Sequence, residues 1–244
     1  MNLAVDFGNT HIKYALFSDN ELNEFHVAEY SAPPVFESII NVNKIKNSIV
    51  SSVLNQCPGF ISVLRERTNY LEFTFQTKIP VKNLYKTAHT LGSDRLAAAI
   101  GAQKLFPDKN ILVIDAGTCI KYNFINARNE YIGGAISPGI NMRFKALNYY
   151  TGMLPLVEAD FSFDILTGIT SNESILSGVL NGTLFEVEGV INEYKKQYPD
   201  LILVLTGGDS IFFEKRLKTP IFADHHLILK GLNEIIQYNV SNQG

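Results

Sequence analysis

The sequence predicts an α/β protein made of two similar halves, residues 1–109 and 110–244. Three observations lead there. LAVDFGNT at 3–10 and LVIDAGT at 112–118 share one form: an apolar strand, an acid, any residue, a glycine, then a hydroxyl or amide. Each copy runs through a tight turn into a second apolar strand, IKYALF at 12–17 and IKYNFI at 120–125. Each half then supplies helices. A match this short can arise by chance, but the strand context on both sides argues for duplication.

The elements follow in order. NLAVDF at 2–7, IKYALF at 12–17 and a strand near 22–28 read as a hairpin meander, with turns at Gly8–His11 and Ser18–Asn20. Pro33-Pro34 breaks the chain before a short helix at 35–41. SIVSSVL at 48–54 is a buried strand, and 60–64 and 71–75 are apolar and β-rich. GSDRLAAAIGAQKLF at 92–106 is the clearest helix, rich in Ala and bounded by Gly92 or Ser93 and by Pro107. The second half restarts with ILVID at 111–115, returns at 120–125, and continues through 131–136. Helices are expected at 139–150, 172–196 and 209–217, a buried strand at 201–205, and a closing helix at 226–238 interrupted by Gly231. The long helix carries Ile175, Val179, Phe185 and Val190 as its apolar side.

Composition narrows the function classes. The chain is 46% hydrophobic and 18% charged, enough apolar material for a folded core. A net charge of -3 and the lack of a basic run give no bulk attraction for nucleic acid. No membrane span or signal peptide is expected. Cys57 and Cys119 read as buried free thiols of a reducing, cytoplasmic compartment. The histidines at 11, 26, 89, 225 and 226 form no metal signature, and His225-His226 reads as a surface pair or a cap.

Five glycine-containing segments carry the candidate chemistry. A glycine after a buried strand lets main-chain N–H groups approach a ligand, and Asn or Thr beside it adds donors. Asp6-Phe7-Gly8-Asn9-Thr10 and Asp115-Ala116-Gly117-Thr118 suit phosphate oxygens, each acid acting through a cation or its water shell. Either turn alone equally suits an ordinary hairpin. Neither a P-loop nor a dinucleotide fingerprint is present. At Gly92-Ser93-Asp94-Arg95 the acid sits in the first turn of a helix, where it serves as a cap or as a base toward a hydroxyl. Arg95 beside it can face an anionic substrate. Gly133-Gly134 through Pro138-Gly139 leads into a helix, and Thr206-Gly207-Gly208-Asp209 leaves a buried strand for another.

These motifs in this order resemble the type III pantothenate kinase family, of the sugar kinase/Hsp70/actin superfamily, over nearly the whole chain. The resemblance rests on Asp6-x-Gly8-Asn9-Thr10, on Tyr85 with Leu91-Gly92-Ser93-Asp94-Arg95, and on Asp115-x-Gly117-Thr118. It continues through Gly133-Gly134-x-Ile136-x-Pro138-Gly139-x-x-Met142, Leu154-Pro155, Gly178, Thr206-Gly207-Gly208 and Leu227-x-Leu229-x-Gly231-Leu232. It implies duplicated ribonuclease H-like domains, as in actin-like ATPases, with a cleft between them. It further implies ATP-dependent phosphorylation of the primary hydroxyl of pantothenate, the first step of coenzyme A synthesis.

By the same resemblance Asp6, Phe7, Gly8, Asn9, Thr10, His11, Ile12, Lys13 and Thr118 would contact ATP. Tyr85, Gly92, Ser93, Asp94, Arg95 and Ser171 would hold pantothenate, with Asp94 the base, and Asp115 would bind a monovalent cation, potassium or ammonium. Magnesium would accompany ATP, and the family works as a homodimer with substrate pockets near the interface. Three departures stand out. Where the family motif continues with Thr and ends in Asp, this chain has Lys121 and Asn123, and Ile169-Thr170 replaces a basic–amide pair. Asn123 offers an amide oxygen without charge. Lys121 either stands in for part of a monovalent cation or points outward on its strand. A weakly catalytic relative acting as a transcription accessory factor is the alternative reading.

Overall fold

The computed structural model describes residues 1–52 and 61–241, so Cys57 and the end of the expected strand at 48–54 lie outside the described residues. The chain divides into two compact units. The first takes in Met1–Lys109, Asn123–Gly133 and His226–Gly244, and the second Asn110–Tyr122 and Gly134–His225.

In the first unit β1 (Asn2–Phe7), β2 (Ile12–Ser18), β3 (Glu21–Ala28), β4 (Asn47–Ser52) and β5 (Asn69–Glu72) form one sheet, in the order β3-β2-β1-β4-β5. β2 runs antiparallel to β1, and β4 parallel to it. Every residue of β1 is buried, as expected of a central strand covered on both faces. Side chains alternate across a strand, so Leu3, Val5 and Phe7 share one face. There they join Phe36 and Ile40 of α1 (Phe36–Asn43) in the core. Asn2, Ala4 and Asp6 take the opposite face.

That opposite face receives α3 (Ser93–Leu105) and α7 (Leu227–Ser241). Asn2 donates to Asn233 of α7 at 2.9 Å, which fixes the side on which α7 lies. The amides continue across the strands: Asn47 donates to Asn2 at 2.8 Å and Asn69 to Asn47 at 3.1 Å. This ladder ties the parallel register of β1, β4 and β5 to one row of hydrogen bonds. The two helices cross closely, since a Cβ on Gly231 would stand 1.9 Å from the Ala97 carbonyl oxygen. Gly231 therefore does not interrupt α7; it is the site of closest approach, and it explains the Ala run of α3. The stretch expected to be β-rich at 60–64 is instead helical from Ser62, as α2 (Ser62–Arg67), because its apolar Ile61 and Leu64 fill the core with helical spacing.

The second sheet contains β7 (Ile111–Ala116), β8 (Cys119–Ile125), β9 (Glu130–Pro138), β10 (Ile202–Thr206) and β11 (Phe222–Ala223). Its order is β11-β10-β7-β8-β9-β6, where β6 is the two-residue strand Lys82–Asn83. With β6 set aside, the order repeats that of the first sheet, the third, second, first, fourth and fifth strands of each half lying side by side. Duplication is thus visible in topology as well as in the Asp-x-Gly motif. Asp6 and Asp115 hold the same place, next to last on the central strand.

The helices α4 (Ile140–Tyr150), α5 (Ser171–Gln197) and α6 (Ser210–Arg216) complete the second unit. α5 buries Ile175, Val179, Leu180, Val187 and Ile191. Phe185 was expected on that side but is 56% exposed, on an outward stripe with Gly178, Gly182 and Gly189. By length and composition α5 is apolar enough to cross a membrane, and 44% of that apolar window is buried within the protein. Cys119 is a free thiol and half-buried, not buried.

Candidate active site

In the first unit the expected phosphate turn and the expected substrate helix lie on one face of the sheet. Asp6 faces Lys13 across the β1–β2 pair and Ser51 across the β1–β4 pair, so all three project to the same side. The Ser51 hydroxyl lies 2.9 Å from that of Ser93, the first residue of α3. Asp94 follows immediately and is 8% exposed. Gly92 permits this placement, because a Cβ there would stand 2.6 Å from the Asp94 carboxylate. At the turn itself, Gly8 donates to the His11 carbonyl at 3.1 Å, and the Tyr30 hydroxyl donates to the Gly8 carbonyl at 2.7 Å. Asn9, Thr10 and His11 are exposed at its tip. Phe7 and Ile12 are fully buried, so only their main-chain groups remain for a ligand.

Arg95 is 5% exposed, and no carboxylate among the described residues lies in ion-pair range of it. Its Nε donates to Asn123 Oδ1 at 2.7 Å, its guanidinium lies 5.8 Å from the Tyr85 ring centre, and its Nη2 has no hydrogen-bond partner. The Tyr131 hydroxyl also donates to Asn123 Oδ1, at 3.1 Å. The amide oxygen of Asn123 is therefore spent on Arg95 and Tyr131. Its expected use as a coordinating group is corrected. A buried guanidinium whose side-chain contacts are neutral favours an anionic partner strongly, since burial of an unpaired charge is costly.

In the second unit three glycine-bearing segments, read separately from the sequence, meet at the Asp115 turn. A Cβ on Gly139 would stand 2.1 Å from the Gly117 carbonyl oxygen, and one on Gly207 2.1 Å from that of Ala116. Gly139 donates to the Thr118 carbonyl at 3.2 Å and Asp209 to the Ala116 carbonyl at 2.9 Å. Gly207 also has a φ of 98°, a left-handed conformation that disfavours side chains. Burial pushes the Asp209 carboxyl above the usual range. Thr118 is exposed at the turn. Asp115 is 5% exposed, and Lys121 Nζ lies 2.9 Å from its Oδ2. Lys121 therefore points at the acid, not outward.

Ser171 lies in the second unit, exposed on the first residue of α5. It lines a cavity of about 520 Å³ with Leu147, Leu154, Ile169, Thr170 and Ile175. The helix start is held by a reciprocal cap that the sequence reading missed. The Thr170 hydroxyl accepts from Glu173 N at 3.2 Å, and the Glu173 carboxylate accepts from Ile169 N at 2.8 Å. The signal was there in Thr170-x-x-Glu173. Among the described residues no group of three His, Cys, Asp or Glu side chains is placed to hold a metal ion.

The sequence model of the type III pantothenate kinases matches residues 2–193. The chain belongs to that family. Type III pantothenate kinases of Phocaeicola vulgatus and Cytophaga hutchinsonii are 43% and 44% identical to it, over 98% of this chain and 99% and 100% of theirs. Among solved structures it resembles a Campylobacter jejuni protein described as a Baf-family transcriptional activator, with a TM-score of 0.63 at 19% identity over 98% of this chain and 99% of that one. It also resembles component A of (R)-2-hydroxyglutaryl-CoA dehydratase from Acidaminococcus fermentans, with a TM-score of 0.54 at 13% identity over 97% and 96% of the two chains. These structural likenesses show the fold alone, the duplicated ribonuclease H-like architecture of actin-like ATPases and sugar kinases. Lys121 and Asn123 both have partners within the chain, Lys121 at Asp115 and Asn123 at Arg95 and Tyr131.

Proposed function

We propose that the protein transfers the γ-phosphoryl group of ATP to the primary hydroxyl of pantothenate, giving 4'-phosphopantothenate. Family membership supports the reaction class. The single observation that carries the substrate is Arg95, a buried guanidinium with a free Nη2 one residue from Asp94. Pantothenate has a carboxylate at one end and a primary alcohol at the other. In this reading Arg95 and Tyr85 bind the carboxylate end, and Asp94 accepts the proton of the alcohol as the phosphoryl group arrives. Lys13 and the main chain of Gly8–His11 hold the triphosphate in the first unit. Asp6 would hold the water shell of a magnesium ion brought in with ATP, whose charge would offset that of the phosphates. The protein's contribution is position and charge rather than covalent chemistry.

We further place the protein in the cytoplasm as a homodimer. The exposed Phe185, Ile136 and Ile169, at 56%, 60% and 90%, support an apolar contact through the α5 side of the second unit. A coupled assay of ADP release tests the reading. Release that requires pantothenate is expected. ATP turnover indifferent to pantothenate, or none with any small alcohol, would overturn it.

A further inference from the structure

We propose that the Lys121 ammonium is a built-in replacement for the monovalent cation at Asp115, so that phosphoryl transfer here needs neither potassium nor ammonium. The inference rests on the kinase reading and refines one part of it. A cation site beside Asp115 needs free carboxylate oxygens and further oxygen ligands. Neither is offered. Lys121 Nζ lies 2.9 Å from Asp115 Oδ2, and the two side chains are 20% and 7% exposed. The next oxygen the motif would bring, Asn123 Oδ1, is turned to Arg95 and Tyr131. A second cation beside the ammonium would meet a like charge within a few ångström, in a partly buried place where repulsion is poorly screened.

The duplicated hairpins sharpen the point. Lys13 and Lys121 both lie on the second strand of their hairpins, opposite the acid of the first. Among the described residues Lys13 makes no ion pair, whereas Lys121 is committed to Asp115. The same residue type thus serves the nucleotide in one turn and the neighbouring acid in the other. An ammonium on a tether carries the same single positive charge as potassium, without the ion's need for several oxygens.

The test compares the wild-type enzyme in sodium, choline and potassium chloride at one ionic strength, with magnesium, ATP and pantothenate fixed. Rates within about twofold across the three salts are expected. Stimulation of tenfold or more by potassium would overturn the inference while leaving the kinase reading intact. No pantothenate-dependent transfer in any salt would overturn the kinase reading, and this inference with it. A readout independent of activity is thallium(I) binding followed by ²⁰⁵Tl resonance. The wild type should show no saturable site, and Lys121→Thr should gain one together with potassium-dependent turnover. Lys121→Arg should remain indifferent to the salt. Saturable thallium binding by the wild type, or a Lys121→Thr enzyme indifferent to potassium, would contradict the proposal. The wild-type arms decide the question even if Lys121→Thr fails to fold.

Discussion

The hairpin β1–β2 and the hairpin β7–β8 start from the same motif and end in different chemistry. Both place an acid next to last on a fully buried central strand, then a glycine turn, then a lysine on the returning strand. In the first, Asp6 shares its sheet face with Lys13 and Ser51, and through Ser51 meets Ser93, the first residue of the helix that carries Asp94. In the second, Asp115 is closed by Lys121 and the turn is hemmed by Gly139 and Gly207. Duplication supplied one frame twice. The first turn directs its polar side chains toward the start of α3, and the second is a close-fitting main-chain cradle.

The largest effect that this contrast predicts is at Asp94. Asp94→Asn keeps shape and removes the proposed base, so kcat should fall roughly 10²–10⁴-fold with little change in the ATP KM. A turnover near wild type would remove Asp94 from its role. The two lysines come next. Lys13→Met should raise the ATP KM about tenfold or more, as expected for a lost charge-assisted phosphate contact. Lys121→Met should instead lower the melting temperature, because it strands a buried carboxylate without its partner. Equal effects of the two changes on the ATP KM would break the comparison.

How much of this was legible beforehand varies by element. The repeated Asp-x-Gly strands were plain in LAVDFGNT and LVIDAGT, because a central strand tolerates only apolar residues and the acid marks its end. The start of α3 was equally plain, since Ala-rich periodicity and Gly92 agree. The convergence of Gly139 and Gly207 on one turn was not legible, because it depends on β10 lying beside β7, a pairing of residues far apart in the chain. Gly231 was misread for the same reason: in isolation a glycine weakens a helix, and only the crossing with Ala97 gives it a purpose. The stretch around Leu64 was misread because a short apolar run fits strand and helix alike. The partners of Lys121 and Asn123 could not be settled from the sequence, since both lie on a strand whose two faces offer different neighbours.

Arg95→Ala should raise the pantothenate KM roughly tenfold or more and leave the ATP KM near its starting value. Unchanged pantothenate kinetics would move the carboxylate site elsewhere. Gly231→Ala should cost about 1–3 kcal/mol of the stability of the first unit, read by denaturant unfolding, because the added methyl must push α7 off α3. No loss would mean that the crossing is looser than the 1.9 Å approach implies. The smallest effect is at the strand pair that joins β6 to β9. Hydrogen bonds from Asn126, Lys82 and Arg128 hold the Glu130 carboxyl down to about 2, from an ordinary 4.5. A lowered carboxyl stabilises the fold fully above its unfolded value, so this contribution should fade as pH falls from 4.5 through about 2. Titration by carboxyl-carbon resonance checks it, and a midpoint near 4.5 would show that the cluster does not form.

The most direct measurement of the whole account is a single-turnover transfer from γ-labelled ATP, with wild-type and Asp94→Asn enzymes each in excess over pantothenate. The account predicts label on the primary hydroxyl oxygen of pantothenate with the wild type, and a rate slowed roughly 10²-fold or more with Asp94→Asn at undiminished ATP binding. Label appearing equally fast with both enzymes, or only in inorganic phosphate, would contradict it.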